Sequence, residues 1–305
     1  MAEPLFQRPD PHPRPPSGYR MPAGSCDTHA HVVGPNSKYP LSGGRQGVVP
    51  PEALLHEYKH MLSSLGIARC VLVTPTVYGT DNSSTLDAIA SAPDHMRGIA
   101  LVDTSTSDAE FKRLHAGGMR GVRFNTRGSM ATSAGTAPAV SLDAALGFGD
   151  TLKRMGWHAQ FLLLADQYPD ADHVFKDYPV DVVIDHLGYL DPARGIDSPG
   201  FKCLLRWVET GCCWVKLSAP YRHSKQNPPY ADIAPYAKKL IAAAPERMVW
   251  ASDWPHSAVF TPDTVGKKRL PNCGELADLL ADWAPDEKVR HKILVENPAK
   301  LYGFA

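Results

Sequence analysis

The sequence predicts an α/β protein: a single (β/α)8 barrel of the TIM type, distorted, with an extended Pro-rich N-terminal arm. Three observations carry that expectation. Eight short apolar or β-branched runs recur along the chain, helical patterns separate them, and a length of 305 residues suits one barrel. With 43% hydrophobic and 21% charged residues, the composition is that of a globular protein and excludes disorder, a coiled coil and a fibrous chain. A doubly wound sheet is the rival architecture, and the count of eight strands decides for the barrel.

Taken in order, residues 1–24 hold seven of the 28 prolines and read as an extended arm draped over the body. The barrel is expected over residues 25–305. Its strands are expected at Ser25–Val33, Arg69–Thr74, Arg97–Asp103 and Gly121–Asn125, then at Trp157–Leu164, Asp181–His186, Cys212–Ser218 and Arg247–Asp253. These runs are continuous rather than alternating, as in strands buried on both faces. Between the first two, Pro51–Gly66 sets Leu54, Leu55, Tyr58, Met61, Leu62 and Leu65 on one helical face, opened by proline and closed by glycine. Similar helices are expected to start near Ser107, Ser141, Pro199, Tyr230 and Cys273. A last one spans Pro285–Leu301 and ends at Gly303.

Charge narrows the partners. Lys+Arg and Asp+Glu balance at 32 each, so no basic excess exists for nucleic acid or an anionic membrane. No apolar stretch approaches the ~18 residues of a membrane helix, and the start lacks a signal peptide's apolar segment. The six cysteines (Cys26, Cys70, Cys203, Cys212, Cys213 and Cys273) form no C-x-x-C pair and read as reduced thiols. A cytoplasmic protein is expected, as a monomer or small homo-oligomer. A G-x-S-x-G elbow, a P-loop and a complete G-x-G-x-x-G are all missing, which disfavours a serine hydrolase and a nucleotide-binding protein.

In a barrel of this type, chemistry sits at the C-terminal ends of the strands. There the first strand carries His29 and His31, two residues apart and so facing one side. The fourth ends at Arg123, with Arg127 nearby, and the sixth at Asp185-His186. The seventh leads to Ser218 and Arg222, and the eighth delivers Asp253. Random core placement would not gather so many polar groups at one mouth. Asp27 shares the parity of the two histidines and is expected to orient one imidazole. His95, His115, His158 and His173 read as hydrogen-bonded core residues.

These residues resemble the amidohydrolase superfamily, in the branch of amidohydrolase family 2 that holds lactonases and decarboxylases. More narrowly, CDTHAHVVGP at 26–35 with Tyr39-Pro40 is similar to the 2-pyrone-4,6-dicarboxylate lactonases and the related sulfomuconolactone hydrolases. So are TPTVYGTDN at 74–82, GVRFN at 121–125, SDWPH at 252–256 and the terminal ENPAKLYGF at 296–304. The resemblance runs from about residue 25 to the end. It implies hydrolysis of an anionic lactone in aromatic-compound degradation, without a required metal.

On this reading Asp253 is the general base that activates water, and His29, His31 and His186 polarise the ring carbonyl. Arg123, Arg127 and Arg222 bind the acidic substituents, since guanidinium forks match carboxylates. Thr76, Tyr78 and Tyr39 donate hydrogen bonds to the same groups. Where a binuclear relative would carry a bridging ligand and a further metal histidine, this chain has Arg123 and Gln160, so two metals are not expected. One divalent ion such as zinc, on His29, His31, Asp253 and His186, is the alternative to none. The short spacing of Arg123 and Arg127 leaves carboxylate and sulfonate substituents both open. A metal-dependent decarboxylase, a lactone isomerase and a silent anion-binding barrel are the competing functions.

Overall fold

The computed structural model describes residues 5–6, 9–42, 51–126, 140–256, 259–260 and 271–305. Eight parallel strands form the wall: β1 Cys26–Ala30, β2 Arg69–Val73, β3 Met96–Ala100, β4 Met119–Asn125, β5 His158–Leu162, β6 Val182–Ile184, β7 Cys213–Leu217 and β8 Met248–Trp250. Each overlaps an expected run, and their order around the wall is their order along the chain. Between β8 and β1 a parallel bridge joins Ala30 to Trp254. There His31 N donates to Trp254 O (2.8 Å) and Asp253 N to His29 O (3.0 Å). The architecture is therefore a nearly closed (β/α)8 barrel.

The helices are α1 Leu55–Leu65, α2 Ser83–Ala90, α3 Asp108–Ala116, α4 Leu142–Leu146, α5 Gly149–Met155, α6 Asp172–Lys176, α7 Pro199–Glu209 and α8 Ala234–Ala243. After them come α9 Cys273–Trp283, α10 Glu287–His291 and α11 Asn297–Tyr302, the last two joined by a π-helical turn at Lys292–Glu296. Local chemistry sets the starts: the hydroxyls of Ser107, Ser141 and Ser198 each accept a first-turn backbone N–H. Gly66 ends α1 at φ 76°, a conformation that glycine adopts without a Cβ penalty. α1 begins four residues later than Pro51 suggested, because Ala53 is held in backbone pairing with Val33. α2 and α6 were not expected from the pattern; one opens on a Ser-Ser-Thr run and the other spans five residues.

Inside the barrel the side chains change character along the strands. Cys26, Val71, Val73 and Ile99 pack with Tyr302 and Phe304, while Val183, Trp214 and Val249 form a second apolar group; Leu301 touches both. The C-terminal segment thus closes one mouth with an apolar plug. Gln160, Lys216 and Asp185 lie further along β5, β7 and just beyond β6, where the interior turns polar. That gradient places the chemistry at the strands' C-terminal ends.

The N-terminal segment runs beside α9. Arg14 meets Asn272 and Glu275, and the backbone N–H groups of Ser17 and Gly18 donate to Asp278. Leu5–Phe6 pair antiparallel with Val259–Phe260. Among the described residues no helix is long and apolar enough to cross a membrane, and all six cysteines are free.

Candidate active site

A break in β1 decides what faces the barrel axis. Its register against β2 shifts between Asp27 and Ala30, so strict alternation fails. Asp27 points into the helix layer, accepting from Tyr58 OH of α1 (3.0 Å), Ser252 N (2.9 Å) and Ser252 Oγ (2.5 Å). His29 turns inward instead. The expected pairing of Asp27 with an imidazole is therefore corrected: it accepts the backbone N–H of His29 at 3.3 Å. Burial pushes the Asp27 carboxyl up to about 6.

Inside, His29 of β1 and His31 just beyond it meet Nε2 to Nε2 at 3.1 Å. His31 Nδ1 lies 2.8 Å from Val73 O at the end of β2. His29 Nδ1 lies 3.1 Å from Lys216 Nζ and 3.3 Å from Asp185 Oδ1. Lys216, without solvent contact, also donates to Gln160 Oε1 at 2.8 Å. Asp185 receives Arg123 Nε (2.8 Å) and Gln160 Nε2 (3.1 Å) on Oδ2, with Lys216 Nζ 3.4 Å from Oδ1. Burial alone would raise the Asp185 carboxyl, but Lys216 and Arg123 outweigh it and hold it well below the usual range. Burial lowers Lys216 to about 8, so its ammonium persists at neutral pH. Burial, with the charge of Lys216, lowers His29 to about 3; burial, with that of Arg123, lowers His31 to about 4.

Asp253 stands just beyond β8 at φ 57°, and His186 just beyond β6 at φ 50°. Such left-handed backbone in non-glycine residues costs on the order of 1 kcal/mol each, and its presence at both positions marks a shaped site. Tyr221 OH (2.5 Å) and Arg222 Nε (2.7 Å) both donate to Asp253 Oδ2. Oδ1 is buried without a hydrogen-bond partner among the described residues. It faces His29 Nε2 at 3.9 Å and His186 Nε2 at 3.8 Å. His186 Nδ1 contacts Ser218 Oγ at 2.8 Å. Burial would raise the Asp253 carboxyl, yet Arg222 more than compensates and holds it well below its ordinary range. At neutral pH the bare Asp253 Oδ1 stands among neutral imidazoles, and Asp185 Oδ1 is likewise buried without a hydrogen-bond partner among the described residues.

The fold thus brings His29, His31, His186 and Asp253 together. Arg123 and Arg222 flank them, each with its Nε on a carboxylate. Thr76 opens a 3-10 turn, Thr76–Tyr78, and is half-buried. Tyr78 OH accepts from Gly34 N at 2.7 Å and keeps its own proton. Tyr39 OH donates to Asp87 Oδ2 at 2.7 Å, so its single proton is directed away from the site. Arg127 lies outside the described residues. Sequence reasoning passed over Lys216 and Tyr221, and placed Asp185 at the end of the sixth strand without a role. A lysine inside the otherwise apolar run CWVKL was the available signal for the first.

The donors also bear on metal binding. Atoms of His29, His31 and Asp253 lie within 4.8 Å of one another, and the bare Oδ1 of Asp253 is a buried carboxylate oxygen suited to a cation. These residues fit one divalent ion. His29, Asp185 and His186 form a second such group, but it shares His29 with the first and its carboxylate is already held by the Arg123 guanidinium and the Lys216 ammonium, so the two do not fit two ions at once.

Comparison with known proteins adds an independent line. A family model described as amidohydrolase matches residues 26–304. The 4-sulfomuconolactone hydrolase of Hydrogenophaga intermedia is 35% identical over 291 residues, covering 94% of this chain and 91% of that protein. The 2-pyrone-4,6-dicarboxylate hydrolase of Comamonas testosteroni is 33% identical over 293 residues, covering 93% and 92%. Among solved structures, a probable 2-pyrone-4,6-dicarboxylic acid hydrolase from Acinetobacter baumannii with citric acid bound superposes with a TM-score of 0.75. It is 26% identical and covers 92% of this chain and 100% of that one. With the barrel, its polar mouth and a family match over nearly the whole length, the chain belongs to the amidohydrolase family.

Proposed function

We propose that this enzyme hydrolyses a small lactone carrying carboxylate or sulfonate groups, of the 2-pyrone-4,6-dicarboxylate or muconolactone and sulfomuconolactone type. The observation that carries the proposal is the bare Oδ1 of Asp253, 3.8–3.9 Å from two imidazole Nε2 atoms. Those gaps are too long for direct hydrogen bonds, so Oδ1 keeps its lone pairs free to accept from a water beside the imidazoles. The names of the relatives above, all hydrolases of anionic lactones, and the citrate held by one of them support the same substrate class.

In the proposed reaction Asp253 Oδ1 takes a proton as water attacks the ring carbonyl. Tyr221 and Arg222, fixed on Oδ2, keep the carboxylate oriented. Imidazole N–H from the histidine cluster stabilises the oxyanion that develops. The ring C–O bond then breaks, the departing oxygen receives the proton, and the product gains a carboxylate. Arg123, Arg222 and Arg127 hold the acidic substituents. A divalent ion, where bound, would sit on His29, His31 and Asp253 beside His186 and supply Lewis acidity to the carbonyl.

The test is an ultraviolet assay of the pure protein on pyrone-dicarboxylate, muconolactones and sulfomuconolactone, with and without chelator, in 18O-labelled water. Ring opening with one 18O in the new carboxylate is expected. Turnover without label would replace hydrolysis by isomerisation, and no turnover of any of the three classes would overturn the proposal.

A further inference from the structure

Lys216 is the only charged side chain of β7, and no solvent reaches it. An ammonium has donors and no acceptor. Its neighbours are three acceptors: Gln160 Oε1 at 2.8 Å, His29 Nδ1 at 3.1 Å and Asp185 Oδ1 at 3.4 Å. A ring nitrogen that accepts from an ammonium cannot carry a proton itself. His29 therefore holds its proton on Nε2. At the other end of the pair, His31 Nδ1 lies 2.8 Å from Val73 O, which can only accept. That nitrogen carries the proton, and His31 Nε2 presents a lone pair. The two Nε2 atoms, 3.1 Å apart, are then one donor facing one acceptor.

A competitor stands beside Lys216. Asp185 Oδ1 lies 3.3 Å from the same His29 Nδ1 and is an acceptor. Facing it alone, Nδ1 would take the proton and free Nε2 as a lone pair. That is the arrangement in which a carboxylate orients a metal-ligating histidine. Two partners of opposite character thus contend for one nitrogen, and the closer is the lysine.

We propose that Lys216 is a positioning residue that fixes the tautomer of His29, keeping the H-x-H pair as a donor–acceptor couple for a substrate carbonyl rather than a chelate. His29 then supplies the N–H that meets the developing oxyanion, while His31 is the acceptor beside it. This assigns the two histidines opposite roles. It rests on the lactone-hydrolase reading only for its kinetic consequence.

The experiment uses whole protein labelled with 15N-histidine and 15N-lysine, as purified and after dialysis against dipicolinate. Long-range 1H–15N spectra separate the tautomers, and His29→Gln and His31→Gln assign the signals. Expected in the dialysed protein are a proton on Nε2 of His29 and on Nδ1 of His31, with a coupling between Lys216 Nζ and His29 Nδ1. In Lys216→Met the His29 proton moves to Nδ1 and zinc, titrated calorimetrically, binds about tenfold tighter or more. On a lactone that the wild type opens, kcat falls while KM stays near its wild-type value. A His29 proton on Nδ1 in the dialysed wild type would overturn the proposal, as would an unchanged His29 signal in Lys216→Met. The wild-type spectrum needs no change at Lys216 and decides the matter if that variant does not fold. If no lactone is opened, the functional reading fails while the spectra still decide the role of Lys216.

Discussion

Tyr221 donates its hydroxyl to Asp253 Oδ2 over 2.5 Å, and that bond, with the one from Arg222, leaves Oδ1 as the only unoccupied oxygen of the carboxylate. The carboxylate is thereby aimed as well as ionised, as the proposed general base requires. Asp253→Asn should lower kcat by about a thousandfold with little change in melting temperature, since proton transfer by a positioned base is worth roughly 10²–10⁴. Tyr221→Phe removes only the aiming bond and should cost kcat about tenfold, in line with roughly 1–2 kcal/mol for a hydrogen bond to a charged group. Steady-state kinetics with thermal melts check both; near-normal kcat in Asp253→Asn would remove it from the base's role.

Arg123 serves two carboxylates on this reading, one of the protein and one of the substrate. Its Nε lies 2.8 Å from Asp185, and both side chains are almost without solvent. Breaking a buried pair costs about 3–5 kcal/mol, and Lys216 on the same carboxylate should moderate that loss. Arg123→Met is accordingly expected to raise KM by at least about tenfold and to lower the melting temperature by several degrees. A raised KM with unchanged stability would show that the Asp185 contact contributes little.

Acid sensitivity follows from the buried imidazoles. His29 and His31 are lowered to about 3 and about 4, so both are neutral well below the ordinary histidine range. The pH profile of kcat/KM should be flat from about pH 7 to about 5 and fall only below that. Stability runs the same way. A lowered histidine pKa means the unfolded chain binds more protons between about pH 4 and 6.5, so stability is lost as pH drops through that window. Asp27, raised to about 6, acts oppositely but is one group against several buried histidines. A kinetic inflection near pH 6.5 would mean a normally titrating histidine in the reaction.

The sequence showed the frame of the molecule well, because buried parallel strands are continuous apolar runs and helix starts carry hydroxyl caps. Ser107 and Ser141 stand at the N-caps expected of them, and Gly303 ends the last helix at φ 64°. His29, His31, His186 and Asp253 were legible as a set because each ends a strand. What stayed hidden depended on relations across space. The β1 register shift after Asp27 turns His29 to the other side from it, and nothing in the neighbouring sequence announces it. Lys216 stands in an apolar run, and its part is visible only with Gln160, His29 and Asp185 placed around it. Tyr39 looked available until Asp87 of α2, a helix the pattern did not suggest, took its proton.

The last relationship to test is that of Asp27 with the end of β8. Its carboxylate accepts from Ser252 N, Ser252 Oγ, Tyr58 OH and His29 N, tying β1, β8 and α1 together one residue before Asp253. Asparagine keeps the shape but replaces one acceptor oxygen with an NH2 donor. Asp27→Asn should therefore destabilise the fold by about 2 kcal/mol, seen as a melting temperature lower by roughly 3 °C. Relief of a buried charge opposes this, as the raised Asp27 carboxyl shows; the loss comes from geometry, because an amide offers one acceptor oxygen instead of two and turns an NH2 toward donors. Because Ser252 is the residue that delivers Asp253, kcat should fall by about tenfold while KM changes less. An unaltered melting temperature would show that the wall is held shut at Ala30 and Trp254 without help from Asp27.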